Sequence, residues 1–326
     1  MSRLEDIGFY TLSDQRAQTA SEHTPLMRCE LILTDACNFR CSYCRGLRDD
    51  LKGTLPLQQA KTIVQQWIAE GLRNVRFSGG EPTLYKGLAD LVKMCKKGGV
   101  ERIAISTNGS ADWEVYEQLI EAGVNDFSVS LDGGCCAIGD KMTGKAGQFP
   151  IVTENIRKLA ERDYTTVGMV FTDDNVGQCI EAVLYADSLG VSDIRVIPAA
   201  QYNEALTKLA GLPDEVLDKY PILRYRIENI KSGRHVRGIR EDDSKNCWLA
   251  LDDMAVSQNL HFPCIIYLRE GGDPIGKVGL NMREERRQWV MTHDCSKDPI
   301  CKSMCLDVCV DYCNTADAAR RVVTEI

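Results

Sequence analysis

Fifteen cysteines in a chain of 326 residues, beside only four histidines, constrain this protein more than any other feature. The count is odd, and Met1 to Tyr10 carry acids and no apolar segment, so neither export nor a disulfide framework is expected. In a reducing compartment, clustered thiols more often bind metal. These do cluster. Cys37, Cys41 and Cys44 form one group, and Cys295, Cys301, Cys305, Cys309 and Cys313 form another, with Cys247 and Cys264 upstream of it. Cys29, Cys95, Cys135, Cys136 and Cys179 sit among apolar or small neighbours and are expected to fill the core.

The length suits about two domains of ~100–200 residues each. Asp and Glu number 47 against 39 Lys and Arg, a net charge of −8. That balance argues against a chain whose main task is coating nucleic acid or a membrane, yet leaves room for a local basic site. No run of ~18 apolar residues occurs, so no membrane partner is expected and the expected compartment is the cytosol.

From Cys29 onward, short β-branched runs alternate with helical patterns. Strands are predicted at Glu30–Thr34, Val75–Ser78, Arg102–Thr107, Asp126–Leu131, Thr166–Thr172 and Asp193–Ile197. Helices are predicted at Leu57–Glu70, Leu88–Lys97, Trp113–Ala122, Ile151–Glu161 and Val176–Leu189, the first with Ala60, Ile63, Val64 and Trp67 on one face. Six strands alternating with helices imply an α/β fold with a parallel sheet, whose active site lies in loops at the carboxyl ends of the strands. After Pro198 the alternation stops. Residues 213–232 read as one helix, and a cysteine-rich, turn-rich segment follows from about 245, lacking hydrophobic periodicity of its own. The predicted organisation is an N-terminal loose arm (1–25), a core (26–200), a helical and basic linker (201–244) and a metal-held segment (245–326).

The first chemical motif is Cys37-x3-Cys41-x2-Cys44, in the loop after the first strand. Three thiolates on one tight loop suit three irons of a four-iron cluster, leaving the fourth iron open to another ligand. Spacing alone also admits chance cysteines or a zinc site completed from elsewhere. Tyr43, before the third cysteine, suits stacking on a flat ring.

Cys37-Asn38-Phe39-Arg40-Cys41-Ser42-Tyr43-Cys44, then Ser78-Gly79-Gly80-Glu81-Pro82, Ser106-Thr107-Asn108-Gly109 and Ser130-Leu131-Asp132-Gly133, all at strand ends and in this order, resemble the radical S-adenosylmethionine (radical SAM) superfamily over roughly residues 28–200. The resemblance implies a partial (β/α)6 TIM barrel. It also implies a 4Fe-4S cluster on Cys37, Cys41 and Cys44 that takes electrons from an external flavodoxin- or ferredoxin-type donor. S-adenosylmethionine would be cleaved there to a radical that abstracts a hydrogen atom from the substrate. By resemblance, the turn Gly79, Gly80, Glu81 and Pro82 meets the methionyl amino group, with Glu81 as an acceptor. Ser106, Asn108, Ser130 and Asp132 face the ribose or methionyl part. Arg195 takes the methionyl carboxylate, and Ile197 lies on the adenine face. Many relatives carry an Arg where Thr143 stands here, a departure at the carboxylate clamp.

The C-terminal cysteines resemble the SPASM and twitch extensions of this superfamily, which hold one or two auxiliary iron–sulfur clusters. That resemblance assigns Cys247, Cys264, Cys295, Cys301, Cys305, Cys309 and Cys313 as ligands. Asn259 replaces a glycine of the pattern, and is expected to tolerate positive φ. Thr292 stands where a further cysteine would be. The four-residue spacing from Cys301 to Cys313 places those thiols on one helical face if a helix forms. In sulfatase-maturing relatives an acid follows the second cysteine; here Ile265 follows Cys264, so that dehydrogenation is not expected.

The extension points first to a peptide or amino-acid conjugate as substrate. A nucleotide or modified nucleobase is the alternative, and a non-catalytic iron–sulfur or zinc scaffold a third reading. Residues 223–240 concentrate six cations against Glu228 alone, which makes Arg234 and Arg237 candidate ligands for substrate phosphate.

Overall fold

Each of the six β-branched runs closes on a polar turn and becomes a parallel strand, joined to the next by a helix that buries its apolar stripe on the sheet. The computed structural model describes residue 12, residues 15–198 and residues 204–324. The order is β1 (Arg28–Ile32), α1 (Leu57–Ala69), β2 (Asn74–Ser78), α2 (Leu88–Lys97), β3 (Arg102–Thr107), α3 (Trp113–Ala122), β4 (Asp126–Ser130), α4 (Cys136–Thr143), α5 (Phe149–Ala160), β5 (Tyr164–Phe171), α6 (Cys179–Ser188) and β6 (Asp193–Pro198). The strands pair in sequence order, β1 to β6, all parallel. Cys29, Leu31, Val75, Phe77, Ile103 and Ile105 face the helices and form the main core with Val64, Trp67 and Leu91. Burial of such side chains stabilises by about 1.5–3 kcal/mol each. The alternate residues, among them Arg28, Glu30, Arg76 and Arg195, point to the other face and line a cavity.

The C-terminal segment adds strands that sequence periodicity did not predict. After α7 (Glu204–Leu209), α8 (Asp214–Leu217) and α9 (Pro221–Lys231) come β7 (Asp253–Ser257), β8 (Leu260–Phe262), α10 (Ile265–Arg269), β9 (Gly276–Lys277), α11 (Met282–Thr292), α12 (Pro299–Met304) and α13 (Asp307–Thr324). β7 pairs parallel with β1 on its far side, and β8 and β9 follow antiparallel. Among the described residues one open sheet therefore runs β6-β5-β4-β3-β2-β1-β7-β8-β9. It continues across the boundary expected near 245.

Several local expectations change. The single helix over 213–232 is two, because Pro221 lacks an N–H and starts a new helix at its first position. The cysteine strip is likewise split at Cys305, whose extended backbone separates α12 from α13. In the two-residue turn between β7 and β8, the positive φ (55°) falls on Gln258, not Asn259. Cys29, Cys95 and Cys179 are buried as expected, but Cys135 and Cys136 are exposed, because they open α4 at a loop rather than face the core. The arm is not loose over residues 15–25: Ala17 and Ala20 are buried against Leu249 and Ala316, and Arg16 pairs with Asp252 at 2.8 Å. Residues 1–11, 13 and 14 of that arm, and 201–203 of the linker, lie outside the described residues. Among those described, no helix is long and apolar enough to cross a membrane.

Arg286 of α11 holds the added strands in place. It is fully buried and donates to the carbonyls of Ala250 and Phe262, at 2.7 and 3.1 Å, and to that of Asp253. It also donates to His261 Nδ1 at 3.1 Å, so that nitrogen must be the unprotonated one, leaving Nε2–H to donate to Glu285 at 3.0 Å. Burial, then the neighbouring Arg286 charge, pull the His261 pKa down from 6.5 to about 3. The unfolded chain thus binds a proton near pH 6.5 that the folded chain refuses until about pH 3. Stability is predicted to fall on acidification through that window, by at most about 1.4 kcal/mol per pH unit. Urea unfolding midpoints between pH 7 and 4 check this, and His261→Gln, which offers an acceptor and a donor but does not titrate, should flatten the slope.

Candidate functional site

The loop carrying Cys37, Cys41 and Cys44 leaves the carboxyl end of β1 and is tied down on three sides. Phe39 plugs into the main core. The Arg40 N–H donates to Thr143 O at 2.9 Å. Asn108 donates to Asn38 Oδ1 at 2.8 Å, and its Nδ2 lies 3.9 Å from Cys37 Sγ. Tyr43 OH donates to Asp132 Oδ2 at 2.5 Å, while Asp132 Oδ1 accepts from Val170 N at 2.7 Å. Asp132 is buried, which pushes its carboxyl up to about 6 against those two hydrogen bonds. The loop thus lies across the ends of β3, β4 and β5. Its thiols are within electrostatic reach of one another: burial, then Asp132, Cys44 and Cys37, push the Cys41 thiol up to about 12. A cation shared by the three reverses that sign, since coordination deprotonates a thiol outright.

The glycine turn after β2 abuts this loop. Gly80 N donates to Thr34 O at 2.6 Å and Glu81 N to Ala36 O at 2.8 Å. A Cβ on Gly80 would stand 2.2 Å from Ala36 O, and Gly79 holds a φ of 153°. Only glycine fits this approach. The Glu81 side chain is buried and fully engaged: it accepts from Thr83 N, Thr83 Oγ1 and Thr107 Oγ1 on Oε1, and from Asn108 N on Oε2, at 2.7–3.1 Å. The structure therefore makes Glu81 a clamp between the turns after β2 and β3, rather than a free acceptor for a ligand. Pro82 starts the short helical turn that follows. Ser130, Gly168 and Arg195 align across β4, β5 and β6, one row below Ile197. Ser106 lies on the same face by register, Arg195 pairs with Asp193 at 3.0 Å, and Ile197 is exposed to the cavity.

The seven C-terminal cysteines converge. Cys247, Cys264, Cys295, Cys301, Cys305, Cys309 and Cys313 all line one cavity of about 360 Å³, whose opposite wall is the inner sheet face. Cys247 is in hydrogen-bond contact with Cys313, and Cys301 with Cys295; these contacts, then burial, push the first thiol of each pair up. Burial and the neighbouring Cys247 raise Cys264 to about 12. Such a desolvated set of soft donors fits an iron–sulfur group. The two cysteine regions are bridged: α10 starts at Cys264, and Arg269 at its other end donates to Gly46 O and Gly79 O, each at 2.9 Å. Arg45 pairs with Glu270 beside it.

Of the candidate phosphate ligands, only Arg237 lines the cavity, where burial, then Arg226 and Arg45, pull its pKa down to about 10. Arg234 does not reach the cavity wall; its guanidinium grips Asp311 through both nitrogens at 2.9 and 2.6 Å. Sequence reasoning passed over Arg28 and Arg76 and counted Arg226 only within the basic stretch; all three join Arg195 and Arg237 there. For Arg28 on β1 and Arg76 on β2, period-two placement next to buried Cys29 and Val75 was the available signal. It also passed over His293, which approaches Cys295 and Cys301.

A family model described as the Radical SAM superfamily matches residues 31–184. A GTP 3',8-cyclase of Synechococcus elongatus is 34% identical over 36% of this chain and 37% of that protein. One from Xanthomonas campestris pv. campestris is 28% identical over 61% and 63%. The chain therefore spans only about a third to two thirds of these relatives' lengths. Among solved structures, native anSMEcpe with bound AdoMet superposes with a TM-score of 0.58 at 16% identity, covering 91% of this chain and 98% of that one. Streptococcus suis SuiB bound to precursor peptide SuiA gives 0.59 at 16% identity, covering 85% and 66%. At these identities the likeness shows the fold, including the cysteine-rich C-terminal part.

Replacing Glu81 by Gln puts an NH2 against a donor at either position, since three donors meet Oε1 and one meets Oε2. With the protein reconstituted under anaerobic conditions, calorimetry should show S-adenosylmethionine binding weakened roughly ten- to a hundred-fold, from a misplaced buried donor at about 1–3 kcal/mol. Unchanged affinity would remove Glu81 from the positioning of this site.

Proposed function

Because this chain belongs to the radical SAM superfamily, we propose that it binds S-adenosylmethionine at a 4Fe-4S cluster on Cys37, Cys41 and Cys44 and acts on a nucleotide-type substrate held in the cavity below. The observation that carries this reading is the cavity wall: five arginines, Arg28, Arg76, Arg195, Arg226 and Arg237, line it beside Glu30 and Asp253, with Arg28 paired to Asp253, Arg195 to Asp193 and Arg226 3.7 Å from Asp307. In a chain of net charge −8 that concentration suits phosphate. Relatives named GTP 3',8-cyclase support a nucleotide over the peptide that the C-terminal extension first suggested. The peptide reading draws support from the shared fold with SuiB, which at 16% identity concerns architecture.

When bound, the cluster and S-adenosylmethionine supply one-electron cleavage of the sulfonium and hydrogen-atom abstraction, with electrons from a flavodoxin- or ferredoxin-type donor. The protein's own part is positional. Cys37, Cys41 and Cys44 would hold three irons of the cluster, and the Gly79-Gly80 turn beside their loop would meet the amino group of S-adenosylmethionine. Glu81 and Asp132 fix the loops around that site. Ser106, Ser130, Arg195 and Ile197 offer polar and apolar surface for the nucleoside and methionyl parts. The arginines orient the substrate, and the apolar residues of the cavity, such as Ile222 and Met254, exclude water from the reacting atoms.

Binding of GTP to the anaerobically reconstituted protein tests the substrate class. Arg76→Ala and Arg237→Ala should each weaken GTP about ten-fold or more, and affinity should fall with added salt. Unchanged affinity in both variants, or a cavity that takes peptides and ignores GTP, returns the choice to the peptide reading.

A further inference from the structure

Thr292 stands at a position where the SPASM pattern calls for cysteine, and its side chain does not act as a substitute: Oγ1 donates back to Gln288 O at 2.7 Å, within α11. The next residue does. His293 ends α11 with extended backbone, which swings its ring out of the helical path and toward the cysteines. A ring nitrogen of His293 and the sulfurs of Cys295 and Cys301 all lie within 4.8 Å of one another.

The ring is held there. It stacks on Trp289, with centroids 4.2 Å apart and planes at 16°, and meets the edge of Tyr267 at 6.2 Å and 86°. Its Nε2 is buried, makes no hydrogen bond, and lies 3.3 Å from Asp298 Oδ2. Asp298 is itself fixed: Oδ2 accepts from Tyr267 OH at 2.9 Å, and Oδ1 caps α12 by accepting from Ile300 N and Cys301 N at 2.8 and 2.9 Å. One carboxylate thus stands beside the ring and caps the helix that carries the cysteine. A carboxylate next to an imidazole that faces soft donors is the usual support of a metal-bound histidine.

Resting on the iron–sulfur reading above, we infer that His293 is a ligand of the auxiliary cluster held by Cys295 and Cys301, taking the place of the cysteine missing at 292. The remaining position falls to Cys247 or Cys264, the other thiols that bear on Cys301. A neutral nitrogen in place of a thiolate removes one negative charge from the centre and raises its reduction potential, as histidine ligation does in other iron–sulfur proteins.

The test uses the full chain, anaerobically reconstituted with iron and sulfide, grown with 15N-histidine and reduced. Pulsed EPR should show a directly bound nitrogen coupling that changes with the isotope. His293→Cys should retain the same iron content, lose that coupling and titrate at a lower midpoint potential. His293→Ala should lose the coupling as well. A missing nitrogen coupling in the unmodified protein, its persistence in His293→Cys, or stoichiometric zinc on Cys295 and Cys301 overturns the assignment. The response of the N-terminal cluster to S-adenosylmethionine is read in the same samples. Its absence would count against the proposed function while leaving the His293 coupling to stand or fall alone.

Discussion

Ten thiols in two close groups repel one another once ionised, and a shared cation makes their convergence favourable. That electrostatic constraint governs the whole molecule. Cys41 is pushed up by burial and by its neighbours on the first loop, and Cys264 and Cys309 are raised in the same way in the C-terminal cavity. On the proposed reading, iron bound at these thiols would turn each of these unfavourable interactions into an attraction. The C-terminal segment has only small apolar clusters of its own, such as that of Ala250, Leu251 and Val290, so coordination supplies what its packing does not.

The scaffold answers this constraint with a few buried polar ties between the elements that carry cysteines. Arg286 gathers the carbonyls that follow Cys247 and precede Cys264. Arg269 runs from the helix that starts at Cys264 to the glycine turn beside the first cluster loop. Glu81 joins that turn to the end of β3, and Asp132 joins the first loop to β5. The two cysteine regions are therefore mechanically continuous through one sheet, and the cavity lined by the C-terminal cysteines is walled on its other side by strand residues that point away from the helices.

Much of this was legible in the chain itself. Period-two and period-3.6 patterns predicted β3, α2 and α3 to the residue, because strong apolar alternation there ends on unambiguous turns such as Asn108-Gly109. The cysteine spacing predicted the first loop. The strands β7 to β9 were not legible, since they are short and complete an edge that only the finished β1 provides. The hydrogen bonds of Glu81 to Thr83, Thr107 and Asn108 were not legible, because a motif names a residue but not its partners. The exposed pair Cys135 and Cys136 was misjudged because small neighbours mark loops as readily as cores. Arg234 and Arg237, three residues apart, part ways because Asp311 on a distant helix claims one of them. His293 was invisible because a ligand set assembled from a helix end and a later turn has no fixed spacing.

The most direct measurement is EPR of the reduced, anaerobically reconstituted protein during titration with S-adenosylmethionine. The account predicts that one cluster signal shifts as the cofactor is added. That signal should vanish when Cys37, Cys41 and Cys44 are all replaced by alanine, with the C-terminal iron retained. Spectra indifferent to the cofactor, or zinc in place of iron on those three thiols, would contradict it.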